Sequence, residues 1–433
     1  MSTRRVALNA LSDIIDNGAY ANLCLKKAEQ GLCERDAKWV SAAVYCTLDH
    51  LMMIDRIIAA HAKGKLDKSI RNILRLGVCQ AKYMNVPDSV ACNESVRLAK
   101  EIGKSALSGY VNGVMRAICR DDGLPPLPND LAERLSIEYS WPKWLVEELI
   151  ADYGTDEAKG IMAQRTHDFC IRAQWPYTAV ELADALTAKG IEFRRGRIDG
   201  NAFCLKKGFN VEQEPLFTEG KITVQSESAM LVCRAVGPKA GMKILDACCA
   251  PGGKTAYMAS LAENGCGITG FELHEHRREL TLNTLKRLHV DNAEIVQKDA
   301  AAYDEAYCGA FDAVLVDAPC SGLGVRGKPD VRYAKTSAMI DDLSGLQLKI
   351  LNTCARYVKA GGTLVYSTCT VSRRENIGVW ERFLAENCNY TPGNIKEILP
   401  DDMQSRAENG RIQLLPQHDG TEGFFIAKFI RRR

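Results

Sequence analysis

The sequence predicts a multi-domain chain: an all-α bundle first, a small α+β unit next, and an α/β domain with a parallel sheet last. Three observations carry this. Apolar residues recur at helical spacing through the first 122 positions, without strand-like alternation. Three prolines and one glycine crowd into DDGLPPLPND at 121–130, where no helix can continue. From about residue 226, short apolar runs alternate with helical stretches, the pattern of a parallel sheet covered on both faces. A chain of 433 residues is too long for one core, and the expected boundaries are 1–125, 126–225 and 226–433.

In order along the chain, VALNALSDII, WVSAAVYCTLDHLMMIDRIIAAH and IRNILRLGVCQAKYM read as packed helices joined by short loops. After the proline-rich joint, SWPKWLVEELIADYG starts a helix near Pro142 and ends it at Gly154. CIRAQW, the helix TAVELADALTAKG, FRRGRI and AFCLKKG then make a small unit with antiparallel strands. Strands are expected at 243–248, 266–271, 293–298, 311–317 and 361–367, with helices between most of them. RIQLLP and GFFIAKFI follow without a long helix between them, so they predict an antiparallel edge.

Composition excludes several classes. No apolar run reaches the roughly 18–20 residues of a membrane span, and the start MSTRRVALNALSDI lacks a cleavage site, so it reads as a helix of the mature chain. Seventeen cysteines run from Cys24 to Cys388 with no C-x-x-C pair and no zinc spacing. The expectation is neither a metal nor a disulfide framework, with most thiols acting as small buried apolar groups in a reducing cytoplasm. The net charge of +2 hides an asymmetry. Residues 1–122 hold 18 Lys/Arg against 13 Asp/Glu, and this mildly basic front half points weakly to nucleic acid.

Three motifs carry chemistry. KILDACCAPGGKT (Lys243–Thr255) is a strand running into a glycine turn that opens a helix. It fails as a phosphate-binding P-loop, because Cys248 stands where the first glycine belongs and Pro251 removes a backbone donor. Gly252 and Gly253 let a ligand approach the backbone at the first switch point of a doubly wound sheet. The next strand ends in Glu272, a carboxylate able to accept both protons of a ribose diol. Asp299 follows the third strand, where it either accepts from an adenine amino group or caps a helix. LVDAPCSGLG delivers Asp317 and Cys320, and LVYSTCT delivers Cys369, at strand ends where open α/β sheets place ligands.

These motifs together resemble the RNA 5-methylcytosine methyltransferases that use S-adenosylmethionine: ACCAPGGKT the cofactor loop, DAPCSG and STCT the two cysteine loops, DGTEGFFIAKF the closing motif. The front half resembles the RNA-binding fold of the NusB antitermination factor, so the resemblance covers essentially the whole chain. It implies a Rossmann-like methyltransferase domain behind a NusB-like bundle, a 16S ribosomal RNA substrate, no membrane or metal, and a monomer. The cofactor set is then Cys248, Cys249, Ala250, Pro251, Gly252, Gly253, Lys254, Glu272, Arg277, Asp299 and Asp317. Two positions depart from the family: Glu272 where aspartate is common, and Cys249 where alanine is usual, the latter read as structural.

The chemistry explains why two thiols would be needed. Carbon 5 of cytosine becomes nucleophilic only after a thiolate adds at carbon 6, and the methylated adduct must then lose a proton and expel the thiol. Spacing does not decide which cysteine attacks. The resemblance implies Cys369 as nucleophile and Cys320 as the group aiding release, with Asp317 on the pyrimidine edge and Lys254 near both thiols. The base must leave its stack, so looped or single-stranded RNA is the expected target. A tRNA substrate, a catalytically idle RNA-binding assembly factor and an NTPase are the competing readings.

Overall fold

The computed structural model describes residues 2–121, 123–164, 169–205 and 210–433, and they form two compact units. The first comprises residues 1–165 together with 326–337, and the second comprises 166–325 and 338–433.

The first unit is helical. Its helices are α1 (Thr3–Asn17), α2 (Ala21–Ala28), α3 (Glu34–Asp49), α4 (Leu51–His61), α5 (Lys68–Tyr83), α6 (Asp88–Glu101), α7 (Ser108–Arg120), α8 (Leu131–Tyr139), α9 (Lys143–Tyr153) and α10 (Thr155–Ala163). Ser2, Asp67 and Asp130 cap α1, α5 and α8 by accepting from backbone amides that have no helical partner. Helix α5 is central: Ile73, Leu74, Leu76 and Val78 are fully buried, and Asn72 beside them is buried too. Gly77 on α5 faces Ser95 and Met115, and a Cβ there would stand 2.4 Å from Ser95 Oγ. Only glycine permits this approach of α5 to α6 and α7.

Two features of this unit differ from the expected boundaries. The described residues 123–130 of the proline-rich stretch lie inside the unit together with α8–α10. Residues 326–337 also join it, although they follow directly on the Cys320 loop. Asp330 Oδ2 accepts from Ala21 N at the start of α2 (3.0 Å), and Arg332 donates to Asp49 (2.7 Å) and to the carbonyls of Tyr139 and Ser140. Asp330 and Arg332 are both buried by these contacts.

The second unit holds two sheets. The smaller is antiparallel, in the order β2 (Phe193–Arg195), β3 (Ala202–Leu205), β1 (Phe169–Ala173), β4 (Ile222–Val224), with α11 (Ala179–Ala188) and the short α12 (Pro215–Thr218) beside it. The expected middle domain does not stand apart, because Ile198 and Ala202 share one buried core with the larger sheet. The last residues of AFCLKKG lie outside the described residues. Pairing of β1 with β3 sets Cys170 opposite Cys204, and the two are joined as a disulfide. The partners are 34 residues apart and strand pairing brings them together; this one pair is not the multi-bridge framework that the cysteine spacing argues against. With Glu227 they form a buried cluster of metal-ligating types, in which the disulfide occupies both sulfurs.

The larger sheet runs β10 (Tyr390–Pro392), β12 (Phe424–Arg431), β9 (Val358–Thr368), β8 (Phe311–Asp317), β5 (Lys243–Asp246), β6 (Gly267–Glu272), β7 (Ala293–Gln297), with β11 (Arg411–Leu414) on β12. Strands β5 to β9 are parallel, and β10, β11 and β12 form the expected antiparallel edge. Alternation sorts β8 between the two faces. Ala313 and Leu315 pack towards α13 (Glu227–Val236) and α14 (Gly253–Leu261), while Val314 and Val316 pack towards the helices at Ser337–Ala355 and Ile377–Glu386. Helix α15 (Glu275–Arg287) joins β6 to β7. Strand order reverses between β5 and β8, the switch point where such sheets open a crevice at their carboxyl ends.

Candidate active site

The loop after β5 is shaped by its backbone. Ala247 N donates to Leu315 O (2.8 Å), Cys249 N to Phe271 O (3.0 Å) and Gly252 N to Cys249 O (2.7 Å). Gly252 has φ +97°, a conformation L side chains rarely adopt, and α14 begins on the next residue. Its first amides therefore open at the switch point. Cys249 is turned into the core, where its sulfur fills the space beside Gly270 and both its backbone groups are engaged, as a structural substitution would have it. Cys248 is half-buried, and burial pushes its thiol well up, so it is no reactive thiol.

Asp246, which the sequence marks only as a strand end, is a further site residue. Its Oδ2 accepts from Thr255 Oγ1 (2.7 Å), and its buried Oδ1 has no hydrogen-bond partner. Burial pushes its carboxyl up to about 6, against the pull of the Thr255 bond. A buried carboxylate oxygen without a partner, two residues before the Cys248 amide that also favours its charge, makes Asp246 a candidate for ligand binding.

Glu272, at the end of β6, is only 5% exposed. One oxygen accepts from His274 N (3.0 Å), and the other lies 3.6 Å from Arg277 Nε. Arg277 also donates to Ala250 O (3.4 Å), so it ties the second strand end to the glycine loop. Asp299, beyond the end of the neighbouring β7, is exposed and accepts from Ala301 N (2.8 Å), the turn-capping alternative of the sequence reading. The structure thus links Ala250 and Glu272 through Arg277 and sets Asp299 just beyond the end of the adjoining strand.

The other half of the crevice lies at β8 and β9. Asp317 accepts from Lys254 Nζ (2.7 Å) and from Ser367 Oγ (2.7 Å), so α14 and both strands meet at one carboxylate. Burial pushes the Lys254 ammonium down, but the Asp317 charge beside it wins and raises it overall. Cys320 Sγ and Cys369 Sγ lie 3.3 Å apart, although 49 residues separate them. The Cys320 thiol is held well above the ordinary thiol range by its bond to Cys369, by burial and by the negative charge of Glu375.

The closing motif secures this half. Gly423 N donates to Gly324 O (2.9 Å), and a Cβ on Gly324 would stand 2.1 Å from Gly423 O. Gly324 N in turn donates to Cys369 O (3.1 Å), so β12 pins one cysteine loop against the other. Phe424, next along, lies 5.3 Å under the Lys254 ammonium.

Comparison with known proteins agrees with this architecture. The family described as 16S rRNA methyltransferase RsmB/F matches residues 233–430, and the NusB family matches residues 1–120. The probable ribosomal RNA small subunit methyltransferase B of Bacillus subtilis is 36% identical, over 100% of this chain and 99% of its own length. That of Synechocystis is 32% identical, over 99% of each chain. The crystal structure of PH0851 has the same fold, with a TM-score of 0.83 at 24% identity over 99% of both chains. Among the described residues, no helix is long and apolar enough to cross a membrane.

Proposed function

The chain belongs to the 16S rRNA methyltransferase RsmB/F family, an S-adenosylmethionine-dependent rRNA methyltransferase, and from that premise we propose that it methylates carbon 5 of a cytosine in 16S ribosomal RNA through a covalent cysteine adduct. The residues fit the cofactor. Asp246 has an unpaired buried oxygen, a Cβ on Gly253 would meet nothing within 4 Å, and Glu272 presents a carboxylate one strand away. Gly252, Gly253, Glu272 and Asp246 would hold it, with Asp299 at the adenine end. When bound, the cofactor supplies the methyl group as a sulfonium electrophile.

The observation that carries the proposal is the thiol pair beside Asp317 at the switch point. The two sulfurs lie 3.3 Å apart, and the resemblance to the RNA 5-methylcytosine enzymes assigns Cys369, as its thiolate, the addition to carbon 6. Asp317 accepts from the exocyclic amine and fixes the ring edge. After methyl transfer, the carbon 5 proton leaves to a base, the bond from carbon 6 to sulfur breaks, and its electron pair returns to Cys369. Cys320, 3.3 Å from the departing sulfur, serves this release.

The helical unit and the small sheet hold the folded RNA in this reading, and the protein works as a cytoplasmic monomer. Bisulfite sequencing of ribosomal RNA from cells with and without the protein tests the proposal. One cytosine of 16S RNA should lose its protection when the protein is absent. Protection lost only in tRNA would move the substrate, and no loss at all would favour an idle assembly factor.

A further inference from the structure

Glu375 is fully buried, six residues beyond Cys369. A buried carboxylate is costly unless donors surround it. Its Oε1 accepts from Ser321 N (2.8 Å) and Gln347 Nε2 (2.9 Å), and its Oε2 accepts from Ser321 Oγ, with Thr370 Oγ1 further off at 3.5 Å. Ser321 follows Cys320 and Thr370 follows Cys369, and their hydroxyls lie 2.7 Å apart. Gln347 also donates to Pro319 O (2.9 Å), on the other side of Cys320. One carboxylate therefore holds the residue after Cys320 directly, the residue after Cys369 through the Ser321 hydroxyl, and, through Gln347, the residue before Cys320. Hydrogen bonds to an ionised acceptor are the strong ones. Glu375 reaches these neighbours with no hydrogen bond to either thiol among its contacts, and it lies away from the glycine loop.

We propose that Glu375 is a positioning residue that ties the two cysteine loops into one unit and fixes the separation between Cys320 and Cys369. The proposal rests on the adduct chemistry above and deepens it. Without the carboxylate, Ser321 loses the acceptor that fixes its hydroxyl against Thr370, and the link between the loops after β8 and β9 is loosened. The thiols then sample separations at which Cys320 cannot serve the release of Cys369.

The test uses the full-length protein and an RNA substrate, with Glu375→Gln as the shape-preserving variant and Glu375→Ala as the severe one. Turnover should fall about tenfold in the first and about a hundredfold in the second, with the RNA KM and cofactor affinity by calorimetry within about twofold of wild type. Trapping on RNA carrying 5-fluorocytidine, where release is blocked, should slow in step with turnover. Ser321→Ala removes the hydroxyl that bonds both Glu375 and Thr370, leaves the Ser321 amide on Glu375 in place, and should reduce turnover by a smaller factor of about three. Turnover and trapping both near wild type in Glu375→Gln and Ser321→Ala would overturn the proposal. So would a loss of cofactor affinity that tracks the loss of turnover, since that marks general structural damage. Cys369→Ala is run in parallel: trapping that survives in it refutes the nucleophile assignment itself, whatever the Glu375 variants do.

Discussion

At the end of β5 the protein offers backbone: a glycine turn, the first amides of α14, and one carboxylate oxygen left without a partner. At the ends of β8 and β9 it offers side chains: two thiols in contact, with Asp317, Ser367, Ser321, Thr370 and Glu375 bonded around them. The first half is open and unsatisfied, as a site for a bound small molecule should be. The second is closed on itself, as a site that must hold two reactive groups at one separation should be. Backbone donors are fixed by the fold and tolerate side-chain change, whereas a thiol pair depends on every bond that aims it. Changes in the cofactor half should therefore act through cofactor affinity, and changes in the thiol half through turnover.

The largest expected effect is in the thiol half. Cys369→Ala should lower methyl transfer by about 10⁴-fold or more, while calorimetric cofactor affinity is unchanged. Substantial methylation by this variant, alongside failed adduct formation in Cys320→Ala, would reverse the two roles.

Cys320→Ala comes next. Attack and methyl transfer still occur but release stalls, so a protein–RNA adduct should persist on a denaturing gel. Normal turnover without such a species removes Cys320 from the mechanism.

In the cofactor half, Glu272→Ala should weaken S-adenosylmethionine binding by roughly 1.5–3 kcal/mol, the scale of hydrogen bonds to a charged group. Unchanged affinity would place the ribose elsewhere and erase the contrast between an open and a closed half.

The smallest effect concerns Asp246, whose carboxyl is pushed from the ordinary 3.8 up to about 6 by burial. The folded state then holds that proton more tightly than the unfolded chain, so this group's contribution to stability falls as pH rises from about 4 to about 6. Asp246→Asn removes the term and keeps an acceptor for Thr255. Its melting temperature should gain on wild type across that window, by about 2 °C or more, and stay level above it. A constant difference between the two proteins from pH 4 to 8 would show that burial does not penalise this carboxylate.

Legibility in the sequence followed the range of the interactions. The strands from β5 to β9 and the edge made by β11 and β12 were readable from periodicity and turn residues, which are local signals. Cys320, Cys369, Asp317 and Lys254 were readable because each stands in a short motif at a strand end or helix start. The bridge through Glu375 was not, since a glutamate shortly before an amphipathic helix looks like any solvated residue until the fold buries it. Asp246 was visible as a strand end, but its unpaired oxygen was not.

The sequence by itself determined the helical front, the alternating α/β pattern behind it and the residue types at each strand end, because hydrophobic period and turn chemistry act over a few residues. Tertiary structure alone decided which distant residues meet. It set Cys170 against Cys204, folded 326–337 into the helical unit, and closed 49 residues of chain to bring Cys320 within 3.3 Å of Cys369. Such meetings depend on strand order and on the burial that follows from it. No local pattern encodes them, because the contact free energy belongs to pairs of residues that the chain separates.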